Sequence, residues 1–382
     1  MAGPDAQPDS APTQFHHWKL LESFQRRLAP VLARRQPTRT ELNPRRQLQP
    51  AGYFSLLLFG LLNPVLKTTR ALCAATHFPR LQAAVGTGPV SLASFSDMQW
   101  VCEPEVLAGL LRELAAEARP VFGDARLQAQ VQDLVATDGT LLPALPRMAW
   151  GLWQDARHRA GKLHLEFSVW RQVPSEFTVT AGNASERGTW EAKIKPGAFY
   201  VNDRHFGQDY KLVSRVQKAG AKFVLRLLNN TVLHRLEPAR ELTPAERAAG
   251  VVEDVRVRLG AEPNGPEGRL VRVEAAGHTF LLFTNQPELA AELVALIYRY
   301  RWQIELFFKW LKCILGCRHW LAESQAGVTL QVYCALIASV FLMLWAGSRP
   351  TKRQWEALQL YWLGCVGWPE LERSLQRAKK AK

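Results

Sequence analysis

The middle of the chain contains eight short runs with β-strand character, and this pattern limits the fold more than any other feature. The runs lie between residues 127 and 285, separated by turn residues, and read LQAQVQDLVATDGTLL, KLHLEFSV, EFTVTAGN, GAFYVN, AKFVLRLL, EDVRVRLG, RLVRVEAAG and HTFLLFTN. Helical patterns cover residues 15–125 before them and residues 288 to about 346 after them. The order predicts an α/β fold in which a sheet is built between two helical segments.

The charge of the chain indicates a polyanionic partner. The 382 residues include 48 Lys and Arg against 34 Asp and Glu, a net charge of +14, and 47% are hydrophobic, which excludes a mostly disordered chain. Nucleic acid or a membrane surface would explain this charge, and a basic surface kept for solubility is the alternative. Six scattered cysteines and an N-terminus without signal-peptide character predict a reducing compartment, the cytoplasm.

One apolar segment is long enough to cross a membrane. Residues 324–348 contain no charged side chain, although Gln325, Gln331 and Ser339 interrupt the apolar run. A helix buried on all sides of a large core has the same composition. We therefore predict a core helix and no membrane contact, with a membrane protein as the alternative.

The segment ALIYRYRWQIELFFKWLKCILG places four polar side chains on one side of an otherwise apolar helix. If the segment is a single helix, Tyr298, Arg301, Glu305 and Lys312 fall within one arc of about 60°. A buried carboxylate is costly unless it is paired, so Glu305 must hold a cation or form an ion pair. The purely structural alternative is a pair with Arg301, one turn earlier.

Two aspartates at the ends of predicted strands give a candidate partner set for Glu305. Asp138 follows the run LVAT and Asp203 follows GAFYVN, and strand ends can project side chains into a cleft. Three ionised carboxylates crowd together only around cations, and oxygen ligands suit Mg²⁺ or Mn²⁺. On a basic protein such a cluster favours phosphodiester chemistry with two metal ions. The alternative is that both residues simply start turns.

The spacing Tyr298-x2-Arg301-x3-Glu305-x6-Lys312 resembles the Y-R-E-K signature of the insertion-sequence-four family of bacterial DDE transposases. This resemblance implies an RNase H-like catalytic core, a mixed sheet flanked by helices, with a β-rich insertion and an N-terminal helical domain. It implies that Asp138, Asp203 and Glu305 are the catalytic and metal-binding residues. Tyr298, Arg301 and Lys312 would contact double-stranded DNA at the inverted-repeat ends. It also implies a homodimer on DNA.

Some neighbouring residues match this family pattern and others depart from it. Lys162-x-His164 resembles a K-x-H sequence often found near the site. His205 stands where family members often have a glycine, two residues after the second aspartate, so Asp209 is a rival to Asp203. Asp133 is a weaker rival to Asp138.

The sequence leaves open whether cleavage passes through a DNA hairpin. Family members that form hairpins stack a flipped base on a tryptophan of the insertion. The chain has 13 tryptophans but none between residues 210 and 297. Phe223, Phe280 or Phe283 could take that role, although each also fits a core position.

The predicted organisation has six segments: a disordered leader (1–14), a helical DNA-binding domain (15–125), the first part of the catalytic core (126–210), the β-rich insertion (211–287), the second part of the core with the Glu helix (288–348) and a basic helical tail (349–382). The first functional hypothesis is a transposase that cleaves transposon ends and transfers strands. The alternatives are a nuclease of the same fold without strand transfer and a non-catalytic DNA-binding descendant. The sequence has no Gly-rich P-loop, so we expect no nucleotide cofactor.

Overall fold

A computed structural model describes residues 18–145, 147–153, 158–315 and 320–376. The predicted leader, 1–14, and the end of the predicted tail, 377–382, lie outside the described residues. The described helices are α1 (Lys19–Arg34), α2 (Pro50–Leu62), α3 (Thr69–Ala75), α4 (Pro79–Val85), α5 (Leu92–Val101), α6 (Glu105–Glu117), α7 (Ala125–Gln130), α8 (Glu186–Glu191), α9 (Arg204–Gly207), α10 (Tyr210–Lys218), α11 (Pro244–Ala248), α12 (Ala291–Tyr300), α13 (Trp302–Leu315), α14 (Gln325–Ala346), α15 (Lys352–Trp362) and α16 (Trp368–Gln376). The strands are β1 (Leu134–Pro143), β2 (Ala160–Ser168), β3 (Val173–Ala181), β4 (Phe199–Asn202), β5 (Lys222–Leu227), β6 (Leu233–Arg235), β7 (Val251–Leu259), β8 (Glu267–Ala275) and β9 (His278–Thr284).

The chain divides into two compact units. The helical unit comprises the described residues within 1–110, 319–322 and 330–382, and the sheet unit those within 111–318 and 323–329. The six predicted segments were defined by role, and their boundaries stay predictions.

The helical unit is built around α2, which is buried along almost its whole length. Phe59 on this helix stacks on Trp18 with ring centroids 4.2 Å apart, and Trp18 stacks in turn on Trp362 at 5.4 Å. The helix ends just before Pro64, and Thr68 caps the next helix by accepting a hydrogen bond from the Ala71 amide. The apolar segment is therefore divided into two helices around Pro64, a residue that cannot continue a helix without losing a backbone hydrogen bond.

Helix α14 is the one described helix that is long and apolar enough to cross a membrane. Within its most apolar 18-residue window, 83% of the residues are buried inside the protein. Such burial is typical of a core helix.

The sheet has the strand order β3-β2-β1-β4-β5-β9-β8-β7-β6. β1, β4 and β5 are parallel, and β2 is antiparallel to both β1 and β3. The order β3-β2-β1-β4-β5 with these directions, packed against helices such as α12 and α13, is the RNase H-like arrangement. The predicted fold class is therefore confirmed, including the β-rich insertion, in which β9, β8, β7 and β6 extend the same sheet by antiparallel pairing.

One local prediction needs correction. The first predicted β run, LQAQVQDLVATDGTLL, begins with a helix, α7, because Asp124 caps it through the Arg126 and Leu127 amides. Within the insertion, the polar stretch ARELTPAERAAG contains the short helix α11. There Thr243 and Glu246 form a capping box, in which the side chain of each residue accepts a hydrogen bond from the backbone amide of the other.

A buried charge network ties the insertion to the start of α12. Asp254 on β7 accepts hydrogen bonds from Arg269 Nε and from Arg240 Nε, both at 2.7 Å. Arg240 also donates to Glu246, and Glu246 accepts from the Ala291 amide at 3.2 Å. Asp254 is 2% exposed and Arg269 8% exposed. The network therefore fixes where α12, which leads to the candidate site, leaves the insertion.

The burial of this network predicts a large cost when one charge is removed. Asp254→Asn keeps the shape but leaves the buried Arg269 guanidinium without its counter-charge, so the free energy of unfolding should fall by about 3–5 kcal/mol. The matched control is Glu267→Gln, because the Glu267–Arg256 pair is 3.7 Å long and about half exposed. That change should cost less than about 1 kcal/mol. Urea denaturation compares the two variants, and equal losses would contradict a buried structural network.

Candidate active site at the ends of β1 and β4

Parallel pairing brings the two predicted aspartates together. The register pairs Ala136 on β1 with Val201 on β4, and the two strands separate after this pair. Asp138 and Asp203 each lie two residues beyond it, so they occupy equivalent positions where the strands part. The carboxylates are close enough for Asp203 to raise the pKa of Asp138.

Local hydrogen bonds hold both aspartates in place. Asn202 donates from Nδ2 to Thr137 Oγ1, and both side chains are buried between the strands. Asp138 accepts from the Gly139 amide at 2.8 Å, and Asp203 caps α9 by accepting from the His205 amide at 2.8 Å. The backbone directly before and after each carboxylate is therefore fixed.

Burial changes the chemistry of Asp138. Burial first, and the neighbouring Asp203 second, raise the pKa of its carboxyl from 3.8 to about 7. The Gly139 amide and the Arg301 guanidinium act in the opposite direction but do not offset these effects. A nearby cation would lower the electrostatic energy of these two carboxylates, because it would compensate the negative charge of both.

Glu305 joins the pair through an arginine. Arg301 Nη2 donates to Glu305 Oε1 at 2.6 Å, and Arg301 Nη1 lies 3.7 Å from Asp138 Oδ2. The Arg301 side chain is only 10% exposed, whereas Glu305 is 29% exposed. The structure thus contains the Glu305–Arg301 pair that the sequence offered as the structural alternative, and it extends that pair to Asp138.

The single helix assumed from the sequence is in fact two. α12 ends at Tyr300 and α13 begins at Trp302, with Arg301 as the turn between them. Tyr298 therefore lies on α12, and Glu305 and Lys312 lie on α13. The expectation of one unbroken helix is wrong, and no Gly or Pro marks the break. Arg301 nevertheless keeps an α-helical backbone, its guanidinium lies 5.7 Å from the Tyr298 ring, and it contacts Glu305, so these three side chains remain neighbours. Tyr298 and Lys312 are half-buried.

The residues present fit a divalent cation in part. Asp138 and Asp203 offer carboxylate oxygens, the donors that Mg²⁺ and Mn²⁺ prefer, and Arg301 offsets only part of the electrostatic cost at Asp138. Across the described ranges, however, no three His, Cys, Asp or Glu side chains are gathered closely enough to surround an ion. Glu305 is turned to Arg301 instead, so the third ligand would have to leave this ion pair.

The remaining predicted neighbours lie in structural positions. In the β1–β2 register, Gly139 pairs with His164 and Asp138 with Leu165. Because paired residues share a face of a sheet and alternate residues change face, His164 lies on the face opposite Asp138. The His164 ring contacts Thr180 Oγ1 at 2.8 Å, and burial, aided by Lys162, lowers its pKa to about 4.

The two rival aspartates also have structural partners. Asp133 accepts a hydrogen bond from Ser168 Oγ at 2.6 Å at the start of β1. Asp209 caps α10 by accepting from the Leu212 amide at 2.9 Å. Asp203 also caps a helix, so the choice of Asp203 over Asp209 stays a prediction.

A groove of the sheet unit opens beside Arg301. Its lining includes two acidic residues, Asp124 and Glu292, together with arginines and aromatic side chains. The arginines are Arg126, Arg226, Arg299 and Arg301, and the aromatic residues are Phe280, Tyr298, Tyr300 and Trp302. Arg226 lies over the Phe280 ring at 4.7 Å, and Phe280 packs on Tyr298 with ring centroids 5.9 Å apart. Arginines combined with aromatic faces are typical of nucleic-acid contacts.

Trp302 is the residue that the sequence reasoning missed. It is 48% exposed in the groove and directly follows Arg301. A base-stacking tryptophan was expected only within the insertion, although helical spacing places Trp302 about 40° from Tyr298 and so beside the polar stripe. Phe223 and Phe283 are fully buried, so neither can stack on a base.

The sequence matches the family model described as Transposase DDE domain over residues 129–341. The chain therefore belongs to the DDE transposase family. It is 29% identical over 212 residues to the candidate transposase y4zB of Sinorhizobium fredii, which covers 54% of this chain and 59% of that protein. It is 31% identical over 248 residues to the candidate transposase for insertion sequence element IS4SA of Synechocystis, covering 63% of this chain and 66% of that protein.

A higher identity holds over a shorter segment. The chain is 42% identical over 131 residues to the transposase for insertion sequence element IS421 of Escherichia coli, covering 33% of this chain and 31% of that protein. It spans less than two thirds of the length of each of these relatives. Its likeness to a piggyBac transposase synaptic complex with hairpin DNA has a TM-score of 0.44 at 10% identity, covering 97% of this chain and 80% of that one.

The raised pKa of Asp138 predicts a pH dependence of stability. The carboxyl binds its proton more tightly in the folded chain, with a pKa of about 7, than in the unfolded chain, at about 3.9. This carboxyl should therefore contribute a decrease in the free energy of unfolding as pH rises from about 4 through 7. In Asp138→Asn this decrease should be smaller by on the order of 2–4 kcal/mol, since one pKa unit is about 1.4 kcal/mol.

Denaturation at pH 4 to 8 in the presence of a chelator measures this difference. Asp209→Asn is the control, because it removes a carboxylate from a helix cap in the same region. Its stability should change with pH in parallel with the wild type. Parallel curves for Asp138→Asn as well would show that Asp138 is not the buried titrating group.

Proposed function

We propose that this chain is a DNA transposase of an insertion sequence, of the insertion-sequence-four group. It cleaves phosphodiester bonds at the inverted-repeat ends of its element and joins the freed ends to target DNA. The observation that carries this proposal is the meeting of Asp138 and Asp203 at the parting of two parallel strands. Glu305 is linked to Asp138 by Arg301, and all of these residues lie inside the segment that matches the DDE domain.

The reaction has two steps of the same kind. In the first, water attacks the phosphorus at the element's end and the 3′ oxygen leaves as a hydroxyl. In the second, this 3′-hydroxyl attacks a phosphodiester of the target strand, and a target 3′ oxygen leaves. One phosphodiester is broken and one is formed in the second step, so no nucleotide cofactor is required.

The metal-binding residues in this proposal are Asp138, Asp203 and Glu305. Two Mg²⁺ or Mn²⁺ ions, when bound, would activate the attacking oxygen and neutralise charge on the leaving oxygen. The protein's own contribution is to fix the two aspartates through the β1–β4 register and to supply Glu305 from the first turn of α13.

The DNA contacts in this proposal follow from charge and position. Arg301, Tyr298 and the neighbouring groove would receive the backbone of the element's end, and Lys312 would grip a phosphate farther along. Trp302, with half its surface exposed, is the residue in the groove best placed to stack on a base. We further propose double-stranded DNA as the partner of the helical segment 15–125, a homodimer on DNA, and a cytoplasmic location.

The triad proposal is tested by Glu305→Gln. Glutamine keeps the volume and can still accept a hydrogen bond from Arg301, so the fold should persist, but one metal-binding charge is lost. With Mn²⁺ and duplexes that carry the DNA flanking the gene, cleavage should fall at least about 100-fold while DNA binding stays near wild type, because affinity comes mostly from Lys and Arg on phosphates. Asp138→Asn and Asp203→Asn should behave alike.

Asp209→Asn is the matched control for the second aspartate. It makes the same chemical change six residues beyond Asp203, at a helix cap, and should retain cleavage. Wild-type cleavage by Glu305→Gln would leave Glu305 as a structural partner of Arg301. Cleavage without joining in the wild type would favour a nuclease, and binding without cleavage a non-catalytic descendant.

The second prediction separates Lys312 from general charge. Lys312 lies seven residues beyond Glu305 on α13, about 10 Å along the helix, so it would reach a neighbouring phosphate. Lys312→Ala should weaken binding of cleaved ends and lower strand transfer, while Mn²⁺ binding persists. Lys309→Ala is the comparison, since Lys309 is exposed and its Nζ lies 5.5 Å from the Trp302 ring. Equal losses in a binding titration would mean that only total charge matters.

A further inference from the structure

Arg301 is the cation that the structure places among the proposed metal ligands. Its Nη2 contacts Glu305 at 2.6 Å and its Nη1 lies 3.7 Å from Asp138. The residue is 9% exposed, and its buried Nε has no hydrogen-bond partner within the described residues. One guanidinium thus compensates carboxylates from two separate elements, β1 and α13.

A bound metal ion and this guanidinium would compete for the same charges. A guanidinium is always positive and only donates hydrogen bonds, so it cannot share a carboxylate oxygen with a closely bound cation at no cost. Glu305 in particular must turn from Arg301 before it can complete a set of ligands with Asp138 and Asp203. Metal binding therefore requires Arg301 to lose a partner, and a buried guanidinium without a counter-charge is unfavourable.

The groove offers Arg301 a replacement partner. Arg301 lines the groove together with Arg126, Arg226 and Arg299, where a DNA phosphate would meet several positive charges. A phosphate accepts the paired donors of a guanidinium as well as a carboxylate does. Arg301 can thus exchange Glu305 for a phosphate when DNA occupies the groove.

We propose that Arg301 is a coupling residue that holds Glu305 and Asp138 in the absence of DNA and releases them to metal when DNA binds. This inference rests on the proposed function, since it uses the same acids. It adds that the metal site is completed by the element's DNA, which would keep the free protein from cleaving DNA at random.

Coupling of this kind has a required symmetry. If DNA raises the affinity for Mn²⁺ by some factor, Mn²⁺ must raise the affinity for DNA by the same factor. Coupling factors of roughly 5 to 150 are usual for two sites in one protein. In Arg301→Gln the coupling factor should approach one, because glutamine has no positive charge with which to hold the carboxylates or to bind a phosphate instead.

The experiment is a Mn²⁺ titration of the full chain, followed by the electron paramagnetic resonance signal of free Mn²⁺. It is carried out with and without a duplex from the DNA that flanks the gene. The wild type should bind Mn²⁺ at least about five-fold more tightly with the duplex. Arg301→Gln should bind Mn²⁺ more tightly than wild type without DNA, and the duplex should add little.

Arg299→Gln is the matched control. It removes the same charge from the same groove, but Arg299 is exposed and lies two residues before Arg301. It should weaken DNA binding and keep the wild-type coupling. Thermal unfolding gives a second measurement: Mn²⁺ should raise the melting temperature of Arg301→Gln more than that of wild type.

The outcomes separate this inference from the proposed function. If Asp138→Asn abolishes Mn²⁺ binding but the duplex leaves wild-type Mn²⁺ affinity unchanged, the site stands and the coupling is wrong. The wild-type measurement alone decides this, even if Arg301→Gln does not fold. If Asp138→Asn and Glu305→Gln bind Mn²⁺ as wild type does, the proposed metal site itself is wrong.

Discussion

Parallel pairing between β1 and β4 is the interaction on which the site depends. Two strands distant in the sequence are joined side by side, so residues that follow each of them meet at one edge. The buried hydrogen bond from Asn202 to Thr137 links the two strands just beyond their last paired residues. A shift of one residue in this register would send one aspartate to the opposite face of the sheet. The sheet therefore positions the two aspartates of the proposed site, and Arg301 and Glu305 come from the turn before α13 and from α13 itself.

The second constraint is the cost of collecting negative charge in a partly buried place. This cost appears as the raised pKa of Asp138, and the positive charge of Arg301 offsets part of it. Each cation that could approach the site, whether guanidinium or metal, lowers the same electrostatic energy. The insertion contributes at a distance, because the network around Asp254 fixes the start of α12 and hence the position of Arg301. A few buried charges thus contribute both to the stability of the sheet unit and to the position of Arg301 at the candidate site.

The sequence predicted those features that depend on local pattern. Alternation and turn residues identified the strands that became β2, β3 and β4, and Pro64 marked the end of α2. Spacing alone identified Glu305 and its partner Arg301. The break at Arg301 escaped prediction because no Gly or Pro signals it, and Trp302 was missed because it lies outside the insertion. Which face His164 occupies also required the β1–β2 register, which is set by contacts between separate strands. Long-range pairing of this kind leaves no mark at a single position in one sequence.

The most direct test of the central claim is to locate manganese by anomalous X-ray scattering in crystals of the protein grown with Mn²⁺ and flanking duplex DNA. The account predicts a peak between Asp138 and Asp203, about 2.1 Å from their nearest oxygens, with Glu305 turned from Arg301 toward the ion. Arg301 should then contact a phosphate of the DNA. Manganese bound at another place, with Arg301 still joining Glu305 to Asp138 beside bound DNA, would contradict it.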